Sequence, residues 1–371
     1  MPFTKLTKRP DSNVPVVDGI RALAILWVIF FHAWIIQVLD MPDYIIRIFD
    51  YPALNWVSKG DLGVDLFFVI SGFLIGSIIF KEIQTTGTFI FRRFYFRRYL
   101  RLTPVYIFAI IVNMILTGNM AFGHYWSNIL YINNYIPNTE MIWTWSLALE
   151  EQFYLLTPFL LLFLFPLFRQ KLNFFALFTL ISLALSSYYV FIKMHLSLPF
   201  NVSFPTPEWF NWFNNYYRVS HLRFVGLLSG VAAAYLHIYH AEGVTAFFRQ
   251  KSKYTTPITI ATLLVLFFIS FTPLGEWTTI PKSIFYQLPP VIGKWYEVCN
   301  KAIFSYGMAY IILACLYGSG RVQETIKRFL SLKFFYPIAQ LSYSAYLFHV
   351  MFMFWIFPKL FALWSSSMSP A

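Results

Sequence analysis

The first apolar stretch of this 371-residue chain carries three ionisable residues, Asp18, Arg21 and His32. An α-helix turns about 100° per residue, so the step from Arg21 to His32 amounts to about three turns and 20°. The two side chains therefore share one helix face, roughly 16 Å apart along the axis. Asp18 lies three residues before Arg21 and can pair with it. Ionisable groups inside a membrane are usually functional, so this face predicts either a reactive site or a structural ion pair with a hydrogen-bonded histidine.

Two adjacent acids, Glu150 and Glu151, follow Trp145 and Ser146 where the chain enters another apolar stretch. One acid suits a helix N-terminus, where the helix dipole favours negative charge. The other acid is then free for acid–base work, or to orient a histidine.

Further polar residues lie near other apolar stretches. Ser342, Tyr346 and His349 are spaced by four and three residues, which puts them on one helix face. Two readings of that face are open: helix-packing hydroxyls with a satisfied histidine, or part of a substrate site. At the predicted outer ends of two other stretches lie four more candidates, namely Asp61, Asp65, His221 and Arg223.

An arginine-rich segment contains Arg92, Arg93, Arg97, Arg98 and Arg101. Arginine binds phosphate in a bidentate manner, so the segment could hold the phosphates of a nucleotide-like donor. Alternatively, it binds lipid headgroups and fixes the membrane orientation of the chain. The sequence has no zinc-ligand spacing, no glycine-rich phosphate loop and no serine-elbow motif, and we expect no metal site. Cys299 and Cys315 are expected to be small core residues.

The elements that position these residues are predicted to be membrane-spanning helices. Hydrophobic residues make up 58% of the chain and charged residues only 12%, about half the usual share of a soluble domain. A spanning helix needs about 20 mostly apolar residues. We identify nine candidate spans, at residues 20–39, 62–80, 102–117, 152–168, 173–192, 222–239, 257–272, 299–317 and 338–360. The predicted fold is therefore all-α, a polytopic transmembrane bundle of about nine to ten helices.

The basic residues predict how this bundle is oriented. With the N-terminus in the cytoplasm, 19 of the 28 Lys and Arg residues fall on the cytoplasmic side, as the positive-inside rule requires. The formal net charge of +12 then follows mainly from topology, so we expect no nucleic-acid partner. We expect one domain over residues 1–371, with a cytoplasmic tail at 1–17, the bundle at 18–360 and a short tail at 361–371. The outer segments are rich in Trp, which indicates either an interfacial aromatic belt or a sugar-stacking surface.

Six segments, taken in chain order, resemble the acyltransferase 3 family of integral-membrane O-acyltransferases. The segments are DGIRALA at 18–24 with His32, GVDLFFVISGFLI at 63–75, the arginine-rich run up to Arg101 and Pro104, WSLALEEQFY at 145–154, HLR at 221–223 with Gly230, and LSYSAYLFH at 341–349. In the family, the arginine-rich run is a cytoplasmic loop. The family pattern also continues with a helix beyond the last residue of this sequence, which leaves the count at nine or ten.

The resemblance implies transfer of an acyl group, usually acetyl from cytoplasmic acetyl-CoA, to a hydroxyl of an extracytoplasmic glycan. It implies a multi-pass protein of the bacterial inner membrane, with acyl-CoA as a co-substrate, no permanently bound cofactor, and membrane lipid as a further partner. It also makes Arg21, His32 and Glu150 the principal catalytic candidates, with Asp18 beside them.

On this basis we expect the five arginines of the segment to bind the phosphates of the donor. His32 would act as a general base or as a transient acyl carrier, and Glu150 would orient it or shuttle its proton. The expected acceptor site comprises Trp145, Ser146, Asp65, Ser71, His221, Arg223, Tyr346 and His349. Two rival functions stay open: a transporter or flippase for a glycan lipid, and an inactive acyl-responsive sensor.

Overall fold

The computed structural model describes residues 9–10, 14–40, 51–168, 176, 179–184, 207–272, 290–356 and 359. Within these residues every regular element is helical, as the sequence predicts. Seven helices are long and apolar enough to cross a membrane. This agrees with a multi-pass membrane protein, while the count of nine to ten spans and the cytoplasmic N-terminus stay predictions.

Ten helices of at least ten residues build the described part of the chain. In chain order they are α1 (Pro15–Asp40), α2 (Leu62–Thr86), α3 (Phe91–Thr117), α4 (Trp145–Phe168), α5 (Ser220–Tyr239), α6 (Ala241–Gln250), α7 (Ser252–Phe271), α8 (Pro290–Tyr317), α9 (Arg321–Leu330) and α10 (Phe335–Met351). A π-helical segment, Phe213–Tyr217, precedes α5, and a second one, Phe352–Ile356, continues α10.

Seven predicted spans correspond to the seven long apolar helices. Of the other two, 338–360 corresponds to the shorter helix α10 with its π-helical extension, and 173–192 falls largely outside the described residues. Two boundaries differ from the sequence reading in ways that matter for the site. Helix α4 begins at Trp145, so Glu150 lies more than one turn inside it and is not at its N-terminus. The arginine-rich run is not a loop but the first three turns of α3.

Glycines allow α2 and α5 to pack with their backbones almost in contact. A Cβ atom added at Gly72 would lie 1.9 Å from the Leu227 carbonyl oxygen, and one at Gly230 would lie 2.1 Å from the Val69 carbonyl oxygen. Small residues at such crossings are a general device of membrane helix pairs. This close pairing fixes the positions of Asp65 and Ser71 on α2 relative to Arg223 on α5.

Candidate active site

A buried carboxylate, Glu150, forms the centre of a three-residue hydrogen-bond cluster between α2 and α4. Its Oε1 accepts a hydrogen bond from Ser71 Oγ at 3.0 Å, and its Oε2 accepts one from the Tyr154 hydroxyl at 2.9 Å. The Tyr154 hydroxyl also lies 3.1 Å from Ser71 Oγ. Glu150 and Tyr154 are one helical turn apart on α4, so the helix itself sets their contact. The cluster holds the carboxylate in place, and each of its oxygens can still accept a further hydrogen bond.

Two arginines give this cluster its positive surroundings. The Arg98 guanidinium stacks on the Tyr154 ring, with its carbon 3.9 Å from the ring centroid, which is a close cation–π contact. Arg21 of α1 lies within electrostatic range of Glu150, Tyr154 and Arg101. The carboxylate therefore lies within electrostatic range of two guanidinium groups, which are also groups that bind anionic ligands.

The five arginines of the predicted donor segment therefore divide into two kinds. Arg98 is partly buried and belongs to the Glu150 cluster, and Arg101 lies near Arg21. Arg92, Arg93 and Arg97 are exposed, as Arg101 is. Proximity to Glu150 and Arg21, and not the helix face alone, sets the division, since Arg93, Arg97 and Arg101 follow one another at four-residue steps along one face.

A second group joins α1 to α10 through two histidines. The rings of His32 and His349 meet edge to face, with their centroids 4.7 Å apart. His32 Nδ1 lies 2.9 Å from the Val28 carbonyl oxygen, and His349 Nδ1 lies 2.8 Å from the Tyr346 carbonyl oxygen. A carbonyl oxygen only accepts, so each Nδ1 carries the proton and each Nε2 is a free base. The Nδ1 of His32 is therefore held by Val28, and the role of Glu150 toward this histidine stays a prediction.

The two groups are linked by the pair Ser146 and Tyr346. The Ser146 hydroxyl and the Tyr346 hydroxyl are 2.6 Å apart, and the Tyr346 hydroxyl donates to the Trp143 carbonyl oxygen at 2.8 Å. Ser146 lies one helical turn from Glu150, and Tyr346 lies one turn from His349. A continuous series of polar side chains therefore runs from the carboxylate to the histidines.

A third group is a buried ion network between the start of α2, the start of α5 and the third to fourth turn of α8. Arg223 Nη2 lies 3.0 Å from Asp65 Oδ1, and Lys301 Nζ lies 3.0 Å from Asp65 Oδ2. Lys301 also pairs with Asp61. Burial by itself would raise the pKa of Asp61, but Lys301 and Lys59 hold it below its ordinary value. With two acids matched by Arg223 and Lys301, the network holds three helices together.

Trp145 and Tyr217 cover this network. The Arg223 guanidinium carbon lies 4.8 Å from the Tyr217 ring centroid and 5.5 Å from that of Trp145. Trp145 is buried, so it serves here as a wall for Arg223 and not as part of an interfacial belt. His221, predicted to be part of the acceptor site, is exposed at the first turn of α5.

Asp18 takes a different partner from the one that its spacing predicts. Its Oδ2 lies 3.1 Å from Arg9 Nε in the N-terminal tail, although Arg21 is also within electrostatic range. Arg9 Nη1 in turn donates to the Ser331 carbonyl oxygen at 3.0 Å. Asp18 therefore connects the tail to the end of α9, and its catalytic role stays a prediction.

A buried arginine that sequence reasoning did not select, Arg218, holds the segment between α3 and α4. It is fully buried and donates to the Asn133 carbonyl oxygen at 2.8 Å and to the Ile136 carbonyl oxygen at 3.0 Å. Burial lowers the pKa of Arg218 to about 10, which keeps it charged at neutral pH. The segment between α3 and α4 is thereby fixed against the π-helical turn that precedes α5.

Tyr154 and Lys301 are the other site residues that the sequence reading missed. The contact of Tyr154 with Glu150 could have been predicted, because the two residues are four apart, a spacing that brings side chains together on a helix. Lys301 gave no such signal, since a lysine near the start of an apolar span is typical of a residue flanking a membrane. Among the described residues, no group of three or more His, Cys, Asp or Glu side chains could hold a metal ion.

The comparison with protein families decides the identity of the domain. The family model of the acyltransferase 3 domain matches residues 14–371, which is nearly the whole chain. The chain belongs to the acyltransferase 3 family. This confirms the family predicted from the six segments, and with it the class of enzyme, an O-acyltransferase domain.

Acyltransferase 3 relatives of this chain include proteins of very different origin. The chain is 22% identical over 92% of its length to "Nose resistant to fluoxetine protein 6" of Caenorhabditis elegans, covering 45% of that protein. It is 31% identical over 46% of its length to O-acetyltransferase OatA of Staphylococcus aureus (strain NCTC 8325 / PS 47), covering 28% of that protein. The chain thus spans less than half the length of these curated relatives. No solved structure matches it significantly.

Proposed function

We propose that this acyltransferase 3 protein transfers an acyl group from an acyl-CoA to a hydroxyl group of an extracytoplasmic glycan, in a bacterial cytoplasmic membrane. The donor is expected to be acetyl-CoA, because the bacterial relative OatA is named as an O-acetyltransferase. The observation that carries the proposal is the tautomer of His32. Its Nδ1 is held by the Val28 carbonyl oxygen, so its Nε2 is an unprotonated base on the same helix as Arg21.

The donor end of this proposal rests on the arginines around Glu150. Acyl-CoA carries several phosphate charges, Arg98 packs on Tyr154 beside Glu150, and Arg101 lies near Arg21. Guanidinium groups bind phosphates in a bidentate manner. The exposed Arg92, Arg93 and Arg97 would attract the same anion, or lipid headgroups, at longer range.

The acceptor end rests on the histidine pair and the hydroxyls beside it. His32 Nε2 would remove the proton from the acceptor hydroxyl as its oxygen attacks the thioester carbon. The Tyr346 hydroxyl donates to the Trp143 carbonyl oxygen in the resting structure, so Ser146, one helical turn from Glu150, would have to turn its hydroxyl away from Tyr346 to donate to the developing oxyanion. Glu150 would keep the two arginines oriented from its position in the cluster with Ser71 and Tyr154.

Mass spectrometry of the surface glycan tests this function against transport. Cells lacking the gene should lose one acyl ester per modified sugar, and restoring the wild-type gene should return it. Restoring a Glu150→Gln variant should not, because the carboxylate that orients the two arginines is gone. An unchanged acylation pattern, with the glycan lipid retained inside the membrane, would instead favour a transporter.

A further inference from the structure

The buried imidazole of His349 has an unused nitrogen. Its side chain is 6% exposed, and its Nδ1 is bonded to the Tyr346 carbonyl oxygen. Its Nε2 has no hydrogen-bond partner among the residues that the structure describes. A buried acceptor without a partner destabilises the folded state, so an unsatisfied polar atom in a packed helix pair needs an explanation.

The adjacent ring of His32 accounts for the missing hydrogen-bond partner of His349 Nε2. His32 lies with its ring centroid 4.7 Å from that of His349, at an interplanar angle of 75°. While His32 is neutral, its Nε2 is also an acceptor, so no hydrogen bond can form between the two Nε2 atoms. Once His32 Nε2 takes up a proton it becomes a donor, and His349 Nε2 is an acceptor on a ring whose centroid lies 4.7 Å away.

We infer that His349 is a positioning residue for the acyl transfer, whose Nε2 accepts a hydrogen bond from protonated His32. The inference rests on the proposed function, because His32 must act as the general base. The unsatisfied acceptor of the resting enzyme gains its partner only after proton transfer. Such an interaction is stronger in the transition state than in the ground state, which is the condition for raising kcat.

The step balances without any further reactant. The acceptor oxygen forms the new C–O bond, and its hydroxyl proton moves to His32 Nε2, where His349 Nε2 helps to hold it. The C–S bond breaks, and its electron pair leaves on the CoA sulfur. The proton then passes from His32 to the thiolate, which gives CoA thiol and the acylated acceptor and returns both histidines to the neutral state.

Two substitutions at His349 separate this role from simple packing. His349→Ala removes the acceptor, whereas His349→Gln keeps an acceptor oxygen on a side chain of similar length. With purified protein, labelled acetyl-CoA and a hydroxyl acceptor, His349→Ala should lower kcat roughly tenfold to a hundredfold. His349→Gln should recover at least part of that loss. The Kd for acetyl-CoA, measured by calorimetry, should stay within about twofold in both variants, since His349 lies apart from the arginines.

Ser344→Ala, a partly exposed residue of the same helix, is the matched control and should behave as wild type. If wild type transfers acyl groups and His349→Ala does so at the same kcat, the inference is wrong and the proposed function stands. Equal losses in both His349 variants, together with weaker acetyl-CoA binding, would also overturn it, because they indicate a packing role. A wild-type protein that transfers nothing would refute the proposed function itself.

Discussion

Removing Lys301 should destabilise the protein far more than its place near the end of a membrane helix implies. Lys301 pairs with both Asp61 and Asp65, and its side chain is only 13% exposed. The Lys301→Met variant keeps much of the apolar volume but leaves Asp61 without its closest cation. Breaking a buried ion pair on one side typically costs about 3–5 kcal/mol, because a buried charge stays uncompensated. Asp65 still has Arg223, so we expect a loss near the lower limit of about 3 kcal/mol.

The matched variants test the reason for this loss. Lys301→Arg keeps the charge and should lose less than about 1 kcal/mol of the free energy of unfolding. The double variant Lys301→Met with Asp61→Asn removes both charges and should recover at least half of what Lys301→Met loses. The assay is reversible unfolding in mixed micelles, monitored by Trp fluorescence. A Lys301→Met protein as stable as wild type, or a double variant no more stable than the single one, would refute the reasoning.

Three further predictions follow from local geometry. Gly72→Ala should cost at least about 2 kcal/mol of unfolding free energy, because its Cβ would meet the Leu227 carbonyl oxygen. Gly243→Ala on α6, where nothing lies within 4 Å of the added Cβ, should instead stabilise the protein by up to about 1 kcal/mol. Thermal unfolding in detergent compares the two variants, and equal effects would contradict the packing account. Arg98→Lys removes a planar cation from the Tyr154 ring and should weaken acetyl-CoA binding about tenfold. Arg92→Lys, at an exposed position, should change the Kd less than twofold. Calorimetry measures both values, and the reverse ranking would contradict the assigned donor site. Asp61 has a lowered pKa in the folded protein, so its stabilising contribution is complete above the ordinary pKa of 3.8 and is lost as pH falls through the lower folded value. Asp61→Asn should therefore flatten that part of the acid unfolding curve, and an unchanged curve would show that Asp61 does not contribute.

The sequence predicted which helices form better than it predicted the residues at which they begin and end. Long apolar runs identify spanning helices because few other structures satisfy the backbone in lipid. The start of α4 was placed seven residues late, because Trp145, Ser146, Glu150 and Glu151 make its first turns polar. Such residues are tolerated there because the helix buries them against α2 and α10.

The site residues were predictable where their partners lie on the same helix. The spacing of Ser342, Tyr346 and His349 predicted a common face, and all three are buried. The partners across helices could not be read from spacing, since Lys301 and Asp61 lie 240 residues apart. The same limit applies to the meeting of His32 with His349, because the sequence contains each histidine but not the contact between α1 and α10.

The most direct test of the proposed activity is the release of CoA from labelled acetyl-CoA by the purified protein, compared with its His32→Ala variant. The wild type should release CoA slowly without an acceptor and faster with one, while His32→Ala should lose about 10²- to 10⁴-fold in rate and still bind the donor. His124→Ala, an exposed histidine of the segment between α3 and α4, controls for the loss of an imidazole and should match the wild type. Wild-type release by His32→Ala would contradict the central claim that His32 is the base.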